Sequence, residues 1–363
     1  LGALTDVTFG AVHGLLRLAG AEPQVFPDEK MIALDGFLVH IAEYCSGVEG
    51  FVLVSGFVLL YGLLFRAELR VWRYWLLVLP VALLTSWGLN VVRLAALVAI
   101  GARVSPELAI GGFHSYAGWM FFTLLALGFL AGVRAVPVLH GAGAPPSRRA
   151  WTMPGAEARI LPFVAFMLAS VLVPAFSPVP DLAYPVKVVA MAGALAAFTW
   201  RRETGLGWGL DPVAVAAGLG VGLLWIATRP APGDADLALA RALHDLGPGL
   251  LVAWIVFRLA GTVLLVPVVE ELFFRGYVLA RIDGIGIGTD APGGLGRRIA
   301  AIAVSSLLFG LLHGRWLVAG AAGVVFALVS LRRGRLADAI VAHALANLVV
   351  AGFALLSGDW AAI

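Results

Sequence analysis

The sequence predicts an all-α polytopic membrane protein of about ten or eleven transmembrane helices, with a small extracytoplasmic β-hairpin before Cys45. Three observations carry this. Hydrophobic residues make up 61% of the 363-residue chain and charged residues 13%, with a mean hydropathy of +0.96. That is more apolar surface than a water-soluble globule of ordinary composition can bury. Apolar runs near the ~18-residue length needed to cross a bilayer recur along the chain, without the short alternating segments of a β-barrel. Finally, Asp35-Gly36 stands between the apolar runs MIAL and FLVH, the strongest local hairpin signal in the sequence.

Taken in order, the first apolar stretch, residues 7–19, lacks a basic leader and a small-residue cleavage site, so it does not read as a cleavable signal peptide. The hairpin follows and leads directly into Cys45. Ten spans come next, at residues 51–65, 74–101, 116–133, 160–176, 185–200, 212–228, 250–280, 299–312, 316–331 and 336–356. Alternate connections carry Arg66/Arg70/Arg73, Arg134/Arg148/Arg149/Arg159, Arg201/Arg202, Arg281/Arg297/Arg298 and Arg332/Arg333/Arg335. The positive-inside rule makes these the cytoplasmic loops. The opposite loops hold most of the acids, Asp28, Glu29, Glu43, Glu49, Glu107, Asp181, Asp234, Asp236 and Asp245 among them; Arg17 fits the scheme poorly. The connection 140–159 is rich in Gly, Pro and Ala and reads as a cytoplasmic linker between a domain at 1–139 and a second at 160–363, whose core motifs fall in 250–356. The single cysteine excludes an intramolecular disulfide framework and a multi-cysteine metal site. The lipid bilayer is an expected partner, and no nucleic acid is.

Three residues stand out in the first domain: Cys45 in EYCSGVEGF, Arg93 in NVVRLAALVAI and His114 in GGFHSYAGW. Span topology brings all three toward the outer side of the membrane. A thiol beside an imidazole can be activated as thiolate, and a guanidinium can lower its pKa further and hold an oxyanion. A lone cysteine in an apolar protein is usually inert packing, but an intramembrane arginine is costly enough to point to function. The CSG tripeptide ahead of a long apolar helix, the N-x-x-R helix and the F-H-x-x-x-G-W segment, in this order, resemble the exosortase/archaeosortase family of membrane transpeptidases over roughly residues 7–133. Where that family often carries a basic residue just after CSG, this chain has Val48-Glu49. The resemblance implies Cys45 as nucleophile, His114 as acid/base and Arg93 as substrate or oxyanion partner. Its substrates are exported proteins with a C-terminal PEP-CTERM-type sorting signal.

In the second domain, VVEELFFRGY places Glu270, Glu271 and Arg275 inside one apolar run. Glu271 and Arg275 are four apart and can pair, whereas Glu270 points about 100° away and stays free to act as a base. His313 in FGLLHG and the i,i+4 pair His343/Asn347 in HALAN are the other polar groups at depth. Residues 299–312 span only ~21 Å as helix, which puts His313 near the tip of a hairpin within the membrane. The chemistry suggested is hydrolysis by activated water, with Glu270 and His313 holding and deprotonating the water and His343 and Asn347 donating to the oxyanion. No cofactor is required; Zn2+ at Glu270/His313/His343 is a minor alternative, since Asn is a poor zinc ligand. EExxxR, FxxxH and HxxxN, in this order on apolar segments, resemble the CPBP (CAAX-type, Abi) family of intramembrane glutamic endopeptidases over roughly residues 250–356. The resemblance implies the same roles, with Glu271 and Arg275 supporting the site.

The two resemblances in one chain look like exosortase E fused to a CPBP protease in a VPEID-CTERM sorting system of the bacterial inner membrane. That implies a bifunctional peptidase: an outer cysteine transpeptidase acting on the sorting signal of a membrane-anchored exported protein, and a glutamate endopeptidase toward the cytoplasm. Two rivals stand beside it. One is a transporter whose intramembrane Arg, Glu and His line a solute or proton path. The other is a single active CPBP protease with a non-catalytic exosortase-like recruiting module.

Overall fold

The computed structural model describes residues 2–66, 69–140, 155–177, 179–198, 208–284 and 294–362. They fall into two compact units, Leu1–Ala150 with Val171–Pro180, and Trp151–Ser170 with Asp181–Ile363.

The first unit opens with α1 (Gly2–Leu18) and a three-stranded antiparallel sheet, β1 (Gln24–Phe26), β2 (Met31–Leu34) and β3 (Phe37–His40), in the order β1-β2-β3. Asp35 and Gly36 carry φ of +48° and +88°, the left-handed backbone of a two-residue type I′ turn, and Leu34 pairs with Phe37 across it. The hairpin is therefore where the Asp-Gly signal puts it. Sequence reading did not find β1, whose three residues bury little of their own. In β2, Ile32 and Leu34 are buried and alternate with partly exposed neighbours, so one face packs with Phe9, Val12 and Leu16 of α1. A 3-10 turn, Glu43–Ser46, then carries Cys45. The helices α2 (Val48–Leu64), α3 (Val71–Arg103) and α4 (Ser115–Ala135) follow, the last preceded by a π turn at Leu108–His114.

The second unit contains α5 (Ala156–Leu172), α6 (Tyr184–Phe198), α7 (Pro212–Ala227), the surface helix α8 (Asp234–His244), the long α9 (Pro248–Asp283), α10 (Leu295–Leu311), α11 (Trp316–Arg333) and α12 (Leu336–Ser357). Helix α12 lies at its centre, packed against α7, α9 and α11. Small residues permit this approach. A Cβ on Gly222 of α7 would stand 2.8 Å from the Ala346 carbonyl oxygen, and Gly218 four residues earlier abuts the Ala342 carbonyl in the same way.

Each of the ten expected spans is helical over its described residues except for a closing turn residue at Phe65, Thr228 and Leu312, and among the described residues seven helices are long and apolar enough to cross a membrane. Val48–Leu59 and Pro212–Ala227 are shorter apolar helices. Helix α5 starts at Ala156, inside the segment expected as linker; residues 141–154 and Arg148, Arg149, Arg201 and Arg202 lie outside the described residues.

Both long helices widen just before a proline. The π segment Tyr74–Val78 precedes Pro80 in α3, and Ala260–Leu265 precedes Pro267 in α9. Proline has no N–H to give the preceding turn, and an i→i+5 register is one way to absorb the loss.

Candidate active sites

In the first unit the turn bearing Cys45 is braced from two helices. Trp87 Nε1 of α3 donates to Thr8 Oγ1 (3.0 Å), and Thr8 Oγ1 of α1 donates to the Ser46 carbonyl (3.0 Å). Asn90 Nδ2 donates to the Cys45 carbonyl (2.8 Å). Gly47 leaves the turn with φ of +104°, and a Cβ there would sit 3.3 Å from Asn90 Nδ2. The glycine of CSG thus meets both a left-handed backbone and a close side chain. Asn90 and Arg93 are one helical turn apart, so the residue that fixes the thiol's backbone shares a face with the guanidinium.

Cys45, Arg93 and His114 all line one cavity of ≈ 380 Å³, together with Glu49, Ser86 and Gly118. Gly118 explains the H-x-x-x-G spacing: a Cβ at that position would come within 2.8 Å of Arg93 Nη1. Burial pushes the Cys45 thiol pKa up, against an opposing pull from Arg93. Burial, with Arg93 adding to it, pushes the His114 imidazole down. At neutral pH the resting pair is therefore a neutral thiol and a neutral imidazole, with Arg93 as the fixed charge between their titrations. No hydrogen bond joins Cys45 to His114 among the described residues.

In the second unit Glu271 is the hub. Its Oε1 accepts from Arg275 Nη1 at 3.0 Å and from His343 Nδ1 at 3.0 Å, with Glu271 and Arg275 almost fully buried. Arg275 Nη2 also donates to the Gly323 carbonyl (2.7 Å), and a Cβ on Gly323 would crowd that nitrogen at 3.2 Å. Glu270, as its position on the helix predicts, stays outside the pair. Its Oε2 is buried, makes no hydrogen bond among the described residues and lies 3.9 Å from His343 Nε2.

Phe309 is the ring around which the site is packed. It lies against His313 (centroids 4.6 Å) and His343 (5.7 Å, edge-on), and the Arg275 guanidinium sits 4.7 Å over its centroid. Phe326 stacks on His343 at 4.8 Å and 15°. The aromatic residue of FxxxH thus positions two imidazoles and a guanidinium, a role that sequence reading did not assign. His313 Nδ1 bonds the Phe309 carbonyl (2.8 Å), which can only accept, so Nδ1 carries the proton and Nε2 presents a lone pair.

Asn347 has a partner that the sequence did not suggest. In the i→i+5 register before Pro267, the Thr262 carbonyl would take the N–H that proline lacks, and Asn347 Nδ2 donates to it instead at 2.7 Å. One N–H of the amide remains. Glu270, His313, His343 and Asn347 all line a cavity of ≈ 400 Å³ with Phe309, Phe326 and Thr262. No group of three or more His, Cys, Asp and Glu converges as a metal site among the described residues. His343 Nδ1 is committed to Glu271 and His313 Nδ1 to a carbonyl, which leaves Nε2 as the remaining nitrogen of each ring.

Two family models match the chain. Residues 2–131 match the transmembrane exosortase family, and residues 252–349 match the type II CAAX prenyl endopeptidase Rce1-like family. The chain is thus a fusion of an exosortase-like part and an Rce1-like CAAX protease part. No curated protein and no solved structure matches it. The exosortase match contains Cys45, Arg93 and His114, and the Rce1-like match contains Glu270, Glu271, Arg275, His313, His343 and Asn347. The fusion is a multi-pass membrane protein with peptidase domains at both ends. Among the residues that order its sites, Thr8 and Trp87 carried no sequence signal, because a threonine and a tryptophan 79 apart show no motif until the fold joins them.

Proposed function

We propose that the fusion holds two active peptidase centres of different chemistry. At the first, His114 takes the Cys45 proton as Sγ attacks the carbonyl of a peptide bond below an exported protein's C-terminal sorting signal. Arg93 faces the oxyanion. As the C–N bond breaks, His114 returns the proton to the leaving amine and a thioester remains on Cys45. An acceptor amine or water then attacks the thioester and regenerates the thiol. The observation that supports this is the single cavity shared by thiol, imidazole and guanidinium. The signal is of the PEP-CTERM or VPEID-CTERM type, the membrane is the bacterial inner membrane, and the Cys45 site faces outward.

At the second centre Glu270 Oε2 and His313 Nε2, two acceptors, hold the two protons of a water. Glu270 takes one as the hydroxide attacks, and passes it to the leaving amine. The oxyanion is received by Asn347's remaining N–H and by His343 Nε2. His343 donates there only when both nitrogens are protonated, and Glu271 bonded to Nδ1 balances that charge. This site lies within the membrane toward the cytoplasm and acts on the membrane anchor left by the first.

Reconstituted protein with a substrate ending in a sorting signal, a span and a basic tail tests both centres. We expect Cys45→Ala to abolish cleavage below the signal and Glu270→Ala to abolish only the second cut. Cleavage below the signal that survives Cys45→Ala but not Glu270→Ala would refute the two-centre reading.

A further inference from the structure

One charged group of the first cavity takes no part in the cleavage steps given above. Glu49 lines it with Cys45, Arg93 and His114, and of the lining residues only Glu49 and Arg93 carry a fixed charge. Much of the remaining wall is apolar, from Leu53, Leu89, Phe121, Phe122 and Leu125. A carboxylate among such residues is costly to desolvate unless a cation comes to it. Arg93 interacts with Glu49 electrostatically, but no ion pair joins the two among the described residues. The cavity therefore holds separate positive and negative poles.

The backbone that carries Glu49 is pressed into position by the glycines around it. A Cβ on Gly47 would stand 3.3 Å from Asn90 Nδ2, and one on Gly50 would stand 2.7 Å from Ser86 Oγ. Both contacts are to α3, so the first turn of α2 lies close against the helix that bears Arg93. Glu49 and Leu53 are four apart and both line the cavity, which puts Glu49 on the cavity face of α2. An acid in a first helical turn also stabilises the helix dipole, but that role requires no place beside a thiol.

Proton balance gives this carboxylate a task. A primary amine arrives at neutral pH as an ammonium and leaves as an amide N–H, so two of its protons must go. As the C–N bond forms and the C–S bond breaks, His114 carries one of them to the departing sulfur and ends the cycle neutral, as it began. The other proton needs a second base. Water needs none, because it gives one proton to the sulfur by the same route and keeps the other on the acid product. We propose that Glu49 is that second base: it binds the ammonium of the acceptor, takes its first proton, releases that proton to solvent, and so directs the Cys45 thioester to transfer in preference to hydrolysis. This rests on the reading of Cys45 as a nucleophile.

The test uses full-length protein in detergent with a sorting-signal substrate and an added nucleophile, the amide and acid products being counted by mass. Both products come from one acyl-enzyme, so their ratio does not depend on how much protein folds or acylates. Glycinamide represents a peptide N-terminus and propylamine an alkyl ammonium, and the better acceptor identifies the source. For that acceptor Glu49→Gln should lower the amide-to-acid ratio by about tenfold or more, and Glu49→Asp by less. Hydroxylamine is uncharged at neutral pH and brings one proton fewer, so its ratio should change by less than about twofold. If Glu49→Gln yields no product, Glu49→Asp decides, by lowering the ratio for the ammonium acceptor and not for hydroxylamine. An unchanged ratio for the ammonium acceptors overturns the proposal. An equal fall for hydroxylamine overturns it too and makes Glu49 a structural residue, and so does acid as the sole product of the unaltered protein with every amine. Failure of the underlying reading looks different: no thioester adduct forms on Cys45, and cleavage survives Cys45→Ala.

Discussion

Glu271 makes the sharpest prediction, because one buried oxygen serves two partners. Replacing it with Gln keeps the volume but removes the charge. The amide oxygen can still accept from Arg275 or His343, yet Arg275, with a side chain 1% exposed, loses its counter-charge. Breaking a buried ion pair from one side costs about 3–5 kcal/mol. Gln retains part of the hydrogen bonding, so we expect about 2–4 kcal/mol lost in unfolding of the detergent-solubilised protein. The activity effect should be larger than the stability effect suggests. Without the carboxylate on Nδ1, the His343 tautomer and its ability to carry a second proton are both released. Loss of the equivalent carboxylate from a serine-protease triad lowers turnover on the order of 10⁴-fold, and we expect a loss of at least 10²-fold for the second cut here. A double-mutant cycle separates pairing from packing. Glu271→Leu and Arg275→Leu together should be less destabilising than the sum of the singles by about 2 kcal/mol or more. Additive singles, or a Glu271→Gln protein that unfolds and cleaves like the parent, would show that the pair does not organise this site.

Cys45 is the chain's one cysteine, so alkylation reads it alone; with its thiol pushed up by burial, labelling should still be accelerating above pH 9, and a plateau by pH 7 would mean a resting thiolate. Since Arg93 pulls that thiol down, Arg93→Gln should slow labelling at any fixed pH in that range. Gly118→Val should cut first-site activity by tenfold or more with little change in folding, because its side chain meets the guanidinium and not the core; retained activity would detach Arg93 from the chemistry. Gly222→Leu should destabilise the second unit by about 1–3 kcal/mol or more through overpacking on the Ala346 carbonyl, measured by the unfolding midpoint.

Features governed by short-range geometry were legible in the sequence. The Asp35-Gly36 turn, the Glu271–Arg275 pair and the isolation of Glu270 each follow from backbone dihedrals or a helical period acting within five residues. The order of three motifs on apolar segments placed His313, His343 and Asn347 on one cavity. What escaped detection depends on partners far apart in the chain. The Thr8–Trp87 brace joins α1 to α3, and the placing of Phe309 between two histidines and an arginine needs the packing of three helices. Asn347 escaped for a different reason. Its donor is partly consumed by a carbonyl that a proline five residues on leaves open, and that link requires knowing that α9 changes register before Pro267.

The two units solve one physical problem alike. A guanidinium within an apolar helix must be desolvated, which is costly unless dipoles or charges replace water. At each site a glycine stands where a side chain would crowd the guanidinium. Gly118 leaves Arg93 open to a cavity it shares with a thiol, and Gly323 offers Arg275 a bare carbonyl 2.7 Å away. The consequences differ with the partner. Arg275 has Glu271 and Gly323 as neighbours and is buried, so its charge is spent on holding the site together. Arg93 is half-buried and has no carboxylate within ion-pair distance among the described residues, so its charge is available to whatever enters the cavity. Arg275→Lys should therefore damage folding first, because a single ammonium cannot meet the Glu271 carboxylate and the Gly323 carbonyl with the same fork. Arg93→Lys should fold and fail in turnover. If Arg93→Lys instead lowers the unfolding midpoint as much as Arg275→Lys while cleavage per folded molecule is unchanged, Arg93 is a structural residue and the oxyanion role falls.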